Sequence, residues 1–256
     1  MSAARLSTES LALRIGSRTL CQNLSLQILP GECWGILGQN GAGKTTLLHT
    51  LAGIRRASAG DIRLDGTAIT DLPRRRVAQR LGLMPQDNPD PFPATVLDTA
   101  LIGRHPHLSR WQWESQQDRE LALATLQQLG LDKFQHRQIN TLSGGERRRL
   151  ALATLLVQAA PLMLLDEPTN HLDLRHQQQV LELLKEKARQ QHSVVMVLHD
   201  INQVSRFCDH VLLMFDDGET RHGNTQEILT SESLSLLYGT PIVEAQVAQM
   251  RWFMAR

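Results

Sequence analysis

A glycine-rich loop near the N-terminus constrains the fold of this chain more than any other stretch. The loop reads GQNGAGKTT at 38–46; the apolar run CWGIL at 33–37 precedes it, and KTTLLHTLAG at 44–53 has a helix-like pattern that Gly53 ends. The spacing fits G-x-x-x-x-G-K-[ST], and a strand before the loop and a helix after it are the context which that pattern requires. The sequence therefore predicts a phosphate-binding loop between a buried strand and the first turn of a helix.

The residues of this loop have separate predicted roles. Backbone N–H groups of the glycine-rich stretch can close around phosphate oxygens, and the Lys44 ammonium supplies a point charge near the β- and γ-phosphates. The Thr45 hydroxyl is a candidate Mg²⁺ ligand. ATP and Mg²⁺ are thus the expected ligands, and the predicted nucleotide contacts in the loop are Gly38, Asn40, Gly41, Ala42, Gly43, Lys44, Thr45 and Thr46.

Two carboxylates follow a second apolar run, LMLLDE at 162–167. On a buried strand they emerge at the carboxyl end, where α/β sheets bind ligands. Asp166 is predicted to hold Mg²⁺, and Glu167 to polarise an attacking water as a general base. His199 ends the run VVMVLH and can donate a hydrogen bond to the γ-phosphate or orient Glu167. Gln86 follows another strand-like run and can contact Mg²⁺ or the water.

Strand-like and helix-like segments alternate along most of the chain. This alternation predicts an α/β fold, a P-loop NTPase core with a mainly parallel sheet, beside an N-terminal antiparallel β part. The pattern is mostly helical over about 89–159, which we interpret as a subdomain inserted into a core formed by about 1–88 and 160–256. We therefore expect one unit, 1–256.

Composition and charge narrow the classes of function. The formal net charge is +1, so no strong field is expected to attract nucleic acid or anionic lipid. The basic stretches PRRRV at 73–77 and ERRRL at 146–150 are interpreted as solvated helix faces. The longest apolar stretch, 151–165, is broken by polar residues and a proline, and it is shorter than the roughly 20 residues of a membrane span. We expect no segment of this chain to enter a bilayer.

The stretch LSGGERRRL at 142–150 places a second anion-binding helix start far from the first. Together with GQNGAGKTT, LMPQ, LMLLDEPTNHLD and VLHD, in that order, it resembles the ATP-binding subunit of ABC transporters. The resemblance implies a head-to-tail dimer that buries ATP between two copies of the chain. It also implies that Ser143, Gly144 and Gly145 of one copy contact the γ-phosphate held by the other, and that Asp173 crosses the interface.

Ile15 departs from the pattern of this family. An aromatic residue usually precedes the glycine of the first loop and stacks on adenine, whereas this chain has Ile15 before Gly16. An aliphatic side chain can cover the base but gives up a stack estimated at roughly 1–3 kcal/mol by analogy with base–aromatic platforms. We predict loose discrimination between purines, with GTP competing with ATP.

The second half of the chain resembles one branch of the family more closely. ALIGRHPH at 100–107, LHDINQVSRFCDHVLLM at 198–214 and SLSLLYGTPI at 233–242 are similar to the ATPase subunits of importers for iron–siderophore chelates, haem and vitamin B12. The resemblance implies a separate integral-membrane permease, an external substrate-binding protein that acts indirectly, and a position at the cytoplasmic face of the bacterial inner membrane. An exporter subunit and a non-transport ABC ATPase stay as alternatives.

Two further segments have no predicted chemistry of their own. The stretch after Gln86 should face the permease if the resemblance holds, and its Trp111 and Trp113 are either exposed anchors for a partner or packed within the helical subdomain. The C-terminal segment at 242–256 shows an apolar alternation that fits a small strand or helix packed on the core.

Overall fold

The computed structural model describes residues 4–86, 93–248 and 250–256. Its strands are β1 (Leu6–Ile15), β2 (Arg18–Leu24), β3 (Gln27–Ile28), β4 (Cys33–Gly38), β5 (Ala59–Leu64), β6 (Thr67–Ala68), β7 (Leu81–Met84), β8 (Leu162–Asp166), β9 (Ser193–Val197), β10 (His210–Met214), β11 (Thr220–Asn224), β12 (Ile242–Val247) and β13 (Met250–Ala255). Its α-helices are α1 (Lys44–Leu51), α2 (Arg74–Arg80), α3 (Val96–Leu101), α4 (Gln116–Gln128), α5 (Gly144–Gln158), α6 (Leu174–Arg189), α7 (Ile201–Phe207), α8 (Thr225–Ile228) and α9 (Ser231–Tyr238). Short 3₁₀ helices lie at Ile69–Asp71, Ile102–His107, Asp132–Phe134 and Ile139–Thr141.

The central sheet has the strand order β11-β10-β4-β9-β8-β7. All neighbours from β10 to β7 pair in parallel, and β11 adds an antiparallel edge strand. Parallel strands run in the same direction, so their carboxyl ends lie at the same edge of the sheet. The ends of β4, β7, β8 and β9 therefore bring the glycine loop, Gln86, the carboxylates and the His199 segment to one edge.

A separate antiparallel sheet is built from the N-terminal part of the chain. Its order is β2-β1-β5-β6, with β3 pairing to β1. Between β7 and β8, the chain forms α3, α4 and α5 with three of the 3₁₀ helices. The predicted fold class, a parallel core with an antiparallel β part and inserted helices, is confirmed.

The core divides into two layers because the central strands are buried on both faces. On β8, Leu162 and Leu164 pack with α1 and the antiparallel sheet, whereas Met163 and Leu165 pack with α3 to α7 on the opposite face. Successive side chains of a strand point to opposite faces, which explains why the run LMLLD is apolar without alternation. Burial of this run fixes the backbone that presents the two carboxylates.

Several sequence expectations can be compared directly with the described elements. The strand before His199 ends at Val197, so the prediction that His199 itself ends that strand is wrong by two residues. Residues 87–92, the beginning of the segment expected to face a permease, lie outside the described residues. Across the described ranges, none of the helices has the length and apolarity needed to cross a bilayer.

Candidate functional site

The glycine loop runs from the end of β4 into α1, and its backbone explains why glycine is needed. Gly41 and Gly43 have φ values of +84° and +99°, which side-chain-bearing residues rarely adopt. At Gly38, a Cβ atom would lie 2.7 Å from the carbonyl oxygen of Met214. Ala42 is buried and packs in the core beneath the loop. The loop is thus held in a closed curve at the N-terminus of α1.

Lys44 places a cation above this curve. Its ammonium donates hydrogen bonds to the carbonyl oxygens of Gly38 at 2.8 Å and Gln39 at 2.9 Å. Burial lowers the pKa of Lys44, and the nearby carboxylates of Glu167, Asp166 and Asp216 oppose that shift. A phosphate at the loop would supply the anionic partner that this buried ammonium can bind.

A cavity of about 370 Å³ opens beside the loop, a volume within the range of small-molecule sites. Seven of the predicted nucleotide contacts and two predicted catalytic residues, Gln86 and Glu167, line it together; the seven are Ile15, Asn40, Gly41, Gly43, Lys44, Thr45 and Thr46.

Arg18 and Leu20 also line this cavity, and the sequence reasoning missed both. Arg18 lies 3.3 Å from Asp216, and half of its side chain is exposed. The signal that could have found it is the strand β2, which follows the Gly16 turn and returns toward the glycine loop. Ile15 itself is 48% exposed, so its side chain is available to cover a base.

Glu167 lies at the inner wall of the cavity and is held by three side chains. Its Oε1 accepts a hydrogen bond from His199 Nε2 at 2.5 Å, and its Oε2 accepts one from Gln86 Nε2 at 3.2 Å and another from the Asn170 amide. The residue is 7% exposed, with φ +52°, an uncommon backbone conformation for a residue with a side chain. The site thus orients one carboxylate toward the glycine loop, and Asn170 is a contact that the sequence reasoning missed.

Asp166 differs from Glu167 because it is fully buried and because no described side chain fixes its carboxylate oxygens as three fix those of Glu167. Within the described ranges, neither of its carboxylate oxygens accepts a hydrogen bond. Burial raises the pKa of Asp166, while the Thr45 hydroxyl, His49 and Arg148 oppose the shift. Buried carboxylate oxygens without hydrogen bonds, beside a hydroxyl, form a donor set that suits a hard divalent cation.

Arg148 joins the first turns of α5 to both segments that carry the site. Its guanidinium donates to the carbonyl oxygens of Pro85 at 2.8 Å, Gln86 at 2.7 Å and Glu167 at 2.7 Å, and also to that of Asp166. Only 6% of Arg148 is exposed. The interpretation of ERRRL as a solvated face is therefore wrong at this residue, since the helix inserts the middle arginine between two loops.

The start of α5 lies apart from the cavity. Ser143 is its N-cap: the hydroxyl accepts from Glu146 N at 3.3 Å, and Ser143 N donates to the Glu146 carboxylate at 2.7 Å. The Ser143 backbone N–H is also the main reason that the pKa of Glu146 is lowered. Gly144 and Gly145 lie beside His171, where a Cβ on Gly145 would be 3.0 Å from the carbonyl oxygen. None of these three predicted contacts is among the described residues that line the cavity.

Asp173 also lies outside the cavity lining and has a local role. It is the N-cap of α6, where its carboxylate accepts from His176 N at 2.9 Å and contacts His176 Nδ1 at 2.8 Å. These contacts, the backbone one first, lower the pKa of Asp173. Its exposed carboxylate leaves it accessible to another molecule.

Trp111 and Trp113 lie in the connection between the 3₁₀ helix Ile102–His107 and α4. They are 88% and 85% exposed. The alternative that they pack within the helical subdomain is therefore wrong, and both indoles are available to a partner.

Comparison with known proteins gives concordant matches. The family model described as ABC transporter matches residues 21–170. Ferric enterobactin transport ATP-binding protein FepC of Escherichia coli K12 is 38% identical over 242 residues, covering 93% of this chain and 88% of FepC. Hemin import ATP-binding protein HmuV of Pseudomonas entomophila is 37% identical over 243 residues, covering 93% of this chain and 94% of HmuV.

Solved structures give the same result. A chain from the structure named an inward-facing conformation of a putative metal-chelate type ABC transporter superposes with a TM-score of 0.85 at 33% identity, covering 99% of this chain and 98% of that chain. The dimeric bacterial ABC transporter cassette MJ0796 superposes with a TM-score of 0.75 at 27% identity, covering 86% of this chain and 98% of the cassette.

Proposed function

Because this chain belongs to the ABC transporter family and is an ATP-binding, ATP-hydrolysing subunit, we propose that it drives uptake of a metal chelate through a separate membrane permease. The relatives named for ferric enterobactin and hemin, each matched over more than nine-tenths of this chain, support an iron–siderophore chelate or haem as cargo. Cobalamin is a further candidate cargo, and only the sequence resemblance supports it.

Hydrolysis is proposed to proceed by attack of water on the γ-phosphorus. Glu167 takes the proton from the water as the new P–O bond forms and the bond to the β-phosphate oxygen of ADP breaks. His199 and Gln86 fix the carboxylate through its two oxygens, and Lys44 offsets charge on the phosphates. The single observation that carries this proposal is the Glu167 carboxylate, held by His199 and Gln86 in the wall of the cavity that the glycine loop also lines.

Mg²⁺ is proposed to be held by Asp166, Thr45 and Gln86. The buried oxygens of Asp166, which lack hydrogen bonds within the described chain, support this assignment. When bound, Mg²⁺ would neutralise negative charge on the phosphates. The raised pKa of Asp166 fits this role. Burial disfavours the ionised carboxylate, and a bound cation would favour it.

A second copy of the chain is proposed to complete each nucleotide site. Ser143, Gly144 and Gly145 begin a long helix whose N–H groups and positive dipole suit a phosphate, yet they do not line the cavity of their own chain as far as it is described. A γ-phosphate on a second copy is the ligand that would use them, and the exposed Asp173 would lie at the same boundary. ADP lacks this phosphate, so hydrolysis would release the link between copies.

The permease is proposed to hold this subunit at the cytoplasmic face of the bacterial inner membrane. The helical unit of about 89–159 carries the exposed Trp111 and Trp113, which suit a protein partner. Arg148 connects that unit to Gln86 and Glu167, so movement of the helices can reach the catalytic carboxylate. A substrate-binding protein outside the membrane would act on this subunit only through the permease.

The proposal is tested by recovering partners of the closed state. Tagged Glu167→Gln, which should bind ATP without hydrolysing it, is pulled down from detergent-solubilised membranes with Mg-ATP, and co-purifying chains are identified by mass spectrometry. A many-span permease encoded with a metal-chelate binding protein is the expected result. An exporter permease, or soluble and ribosomal partners alone, would overturn the assignment to uptake. Neither result would change the assignment of this chain as an ATPase.

A further inference from the structure

A second wall of the nucleotide cavity comes from the N-terminal antiparallel sheet. Ile15 at the end of β1 and Arg18 and Leu20 of β2 form it, whereas Glu167 reaches the cavity from the segment directly after β8. β2 passes close to the glycine loop, since a Cβ atom on Gly43 would lie 2.9 Å from Leu20 Cδ1. The γ-phosphate and the nucleoside are at opposite ends of a bound triphosphate. A γ-phosphate that faces Glu167 therefore leaves the nucleoside toward the wall of β1 and β2.

Arg18 lies beside Ile15 because a two-residue turn joins their strands. The two residues are Cα partners in the antiparallel pairing of β1 and β2, with Gly16 and Ser17 between them. Gly16 has a φ of +58°, which glycine adopts without strain. Side chains directly opposite each other in an antiparallel pair lie on one face. The turn thus presents an aliphatic side chain and a planar cationic one together at the cavity.

The Arg18 guanidinium is held at the rim of the glycine loop. Its Nη2 donates to Asp216 Oδ1 at 3.3 Å, and its Nη1 would lie 3.7 Å from a Cβ atom on Gly41. Half of the Arg18 side chain stays exposed, so the guanidinium is accessible to a ligand. The Asp216 carboxylate offsets its charge and would repel a phosphate, while Lys44 already supplies a cation at the loop. These contacts favour Arg18 as a flat surface for the base over Arg18 as a phosphate ligand.

We propose that the guanidinium of Arg18 stacks on the purine base of the bound nucleotide and supplies, beside Ile15, the planar contact that an aliphatic side chain lacks. The inference rests on the proposed function, because it assumes that Glu167 faces the γ-phosphate. Guanidinium planes stack on nucleobases, and stacking uses the π-face that every base has. Arg18 therefore sets how tightly the nucleoside is held and discriminates weakly between adenine and guanine.

Titration with diphosphates separates a contact with the base from a contact with the phosphates. ADP and GDP carry a base and pyrophosphate does not, and none of the three has the γ-phosphate that is proposed to link two copies. In isothermal titration calorimetry with Mg²⁺, Arg18→Ala should raise the Kd for ADP and for GDP by similar factors of at least about fivefold. Its Kd for pyrophosphate should stay within about twofold of the wild-type value, because an exposed ion pair contributes little. An equal loss for pyrophosphate, a loss confined to GDP, or no loss for ADP would overturn the proposal.

Two further variants separate the planar contact from charge. Arg18→Lys keeps the charge without the plane, so it should lose ADP affinity as Arg18→Ala does, and wild-type affinity in this variant would refute the stack. Arg14→Ala removes an exposed arginine of β1 outside the described lining of the cavity, and it should keep the wild-type Kd values. Failure of the uptake assignment would change none of these constants, because the permease takes no part in them. The two failures are therefore distinguishable.

Discussion

Replacing Arg148 by alanine removes the contact that joins α5 to both catalytic segments. The guanidinium donates to carbonyl oxygens on either side of the site, in the Pro85–Gln86 segment and in the Asp166–Glu167 segment. Alanine cannot make any of these bonds. We expect both segments to loosen relative to each other, because these four carbonyl oxygens lie in the two segments that carry Gln86 and Glu167.

The size of the effect can be worked from those contacts. Hydrogen bonds to a charged group contribute about 1.5–3 kcal/mol each, but they are not additive within one guanidinium. The Glu167 carbonyl keeps the N–H of Asn170 at 3.1 Å, and the carbonyl of the exposed Gln86 can bind water instead. The net loss should thus equal one to two such bonds, about 1.5–6 kcal/mol in the free energy of unfolding. Misplacement of Glu167 should lower kcat on the order of 10–100-fold, with the KM for ATP changed by less than about threefold.

Urea unfolding and steady-state ATPase assays of the full-length variant measure both quantities. Arg149→Ala is the matched control, because the next residue of the same helix donates to the Leu129 carbonyl at 2.8 Å, away from the catalytic loops. It should lose stability without the fall in kcat. Arg148→Ala with a wild-type kcat, or a fall in kcat shared equally by Arg149→Ala, would refute the assigned role.

Three other variants follow from the site. Glu167→Gln should retain ATP binding while hydrolysis falls on the order of 10²–10⁴-fold, measured by equilibrium binding and phosphate release. Asp166→Asn should raise the Tm of nucleotide-free protein at neutral pH. Burial raises the pKa of Asp166 in the folded state, so protonated Asp166 stabilises the fold at low pH. That contribution is lost as the pH rises from 3.8 through the folded-state pKa. The gain should fade toward pH 3.8, and an unchanged Tm at neutral pH would contradict it. Ile15→Tyr should tighten ATP binding by at least about fivefold through a stack of roughly 1–3 kcal/mol, and GTP should compete with ATP in the wild type; strict ATP preference would refute this.

The parts of the fold that the sequence predicts well are those where short-range rules and burial agree. CWGIL and LMLLD are apolar throughout because both faces of a parallel strand are covered, and the glycine spacing of 38–46 is tied to positive φ values at Gly41 and Gly43. Such features depend on local backbone conformation and burial. They can therefore be read without knowing the tertiary structure.

The missed residues depend on contacts between distant segments. Arg148 looks like any solvated arginine in ERRRL, and only the approach of Pro85 and Glu167 buries it. Arg18 reaches the cavity because β2 returns beside the glycine loop. The apolar alternation of β12 and β13 was visible, but their register, which places the exposed residues on one face, is set by the pairing of the strands.

The central claim, that one nucleotide site is shared by two copies, is tested most directly by mixing two inactive variants. Lys44→Ala spoils the glycine loop, and Ser143→Arg spoils the start of α5, which does not line the cavity of its own chain as far as that chain is described. Each variant alone should be inactive, although Ser143→Arg should still bind ATP. A mixed dimer holds one complete site, so an equal mixture should recover up to about a quarter of the wild-type ATPase rate, since half of randomly formed dimers are mixed. A mixture without recovery, or full activity in Ser143→Arg alone, would contradict the shared site.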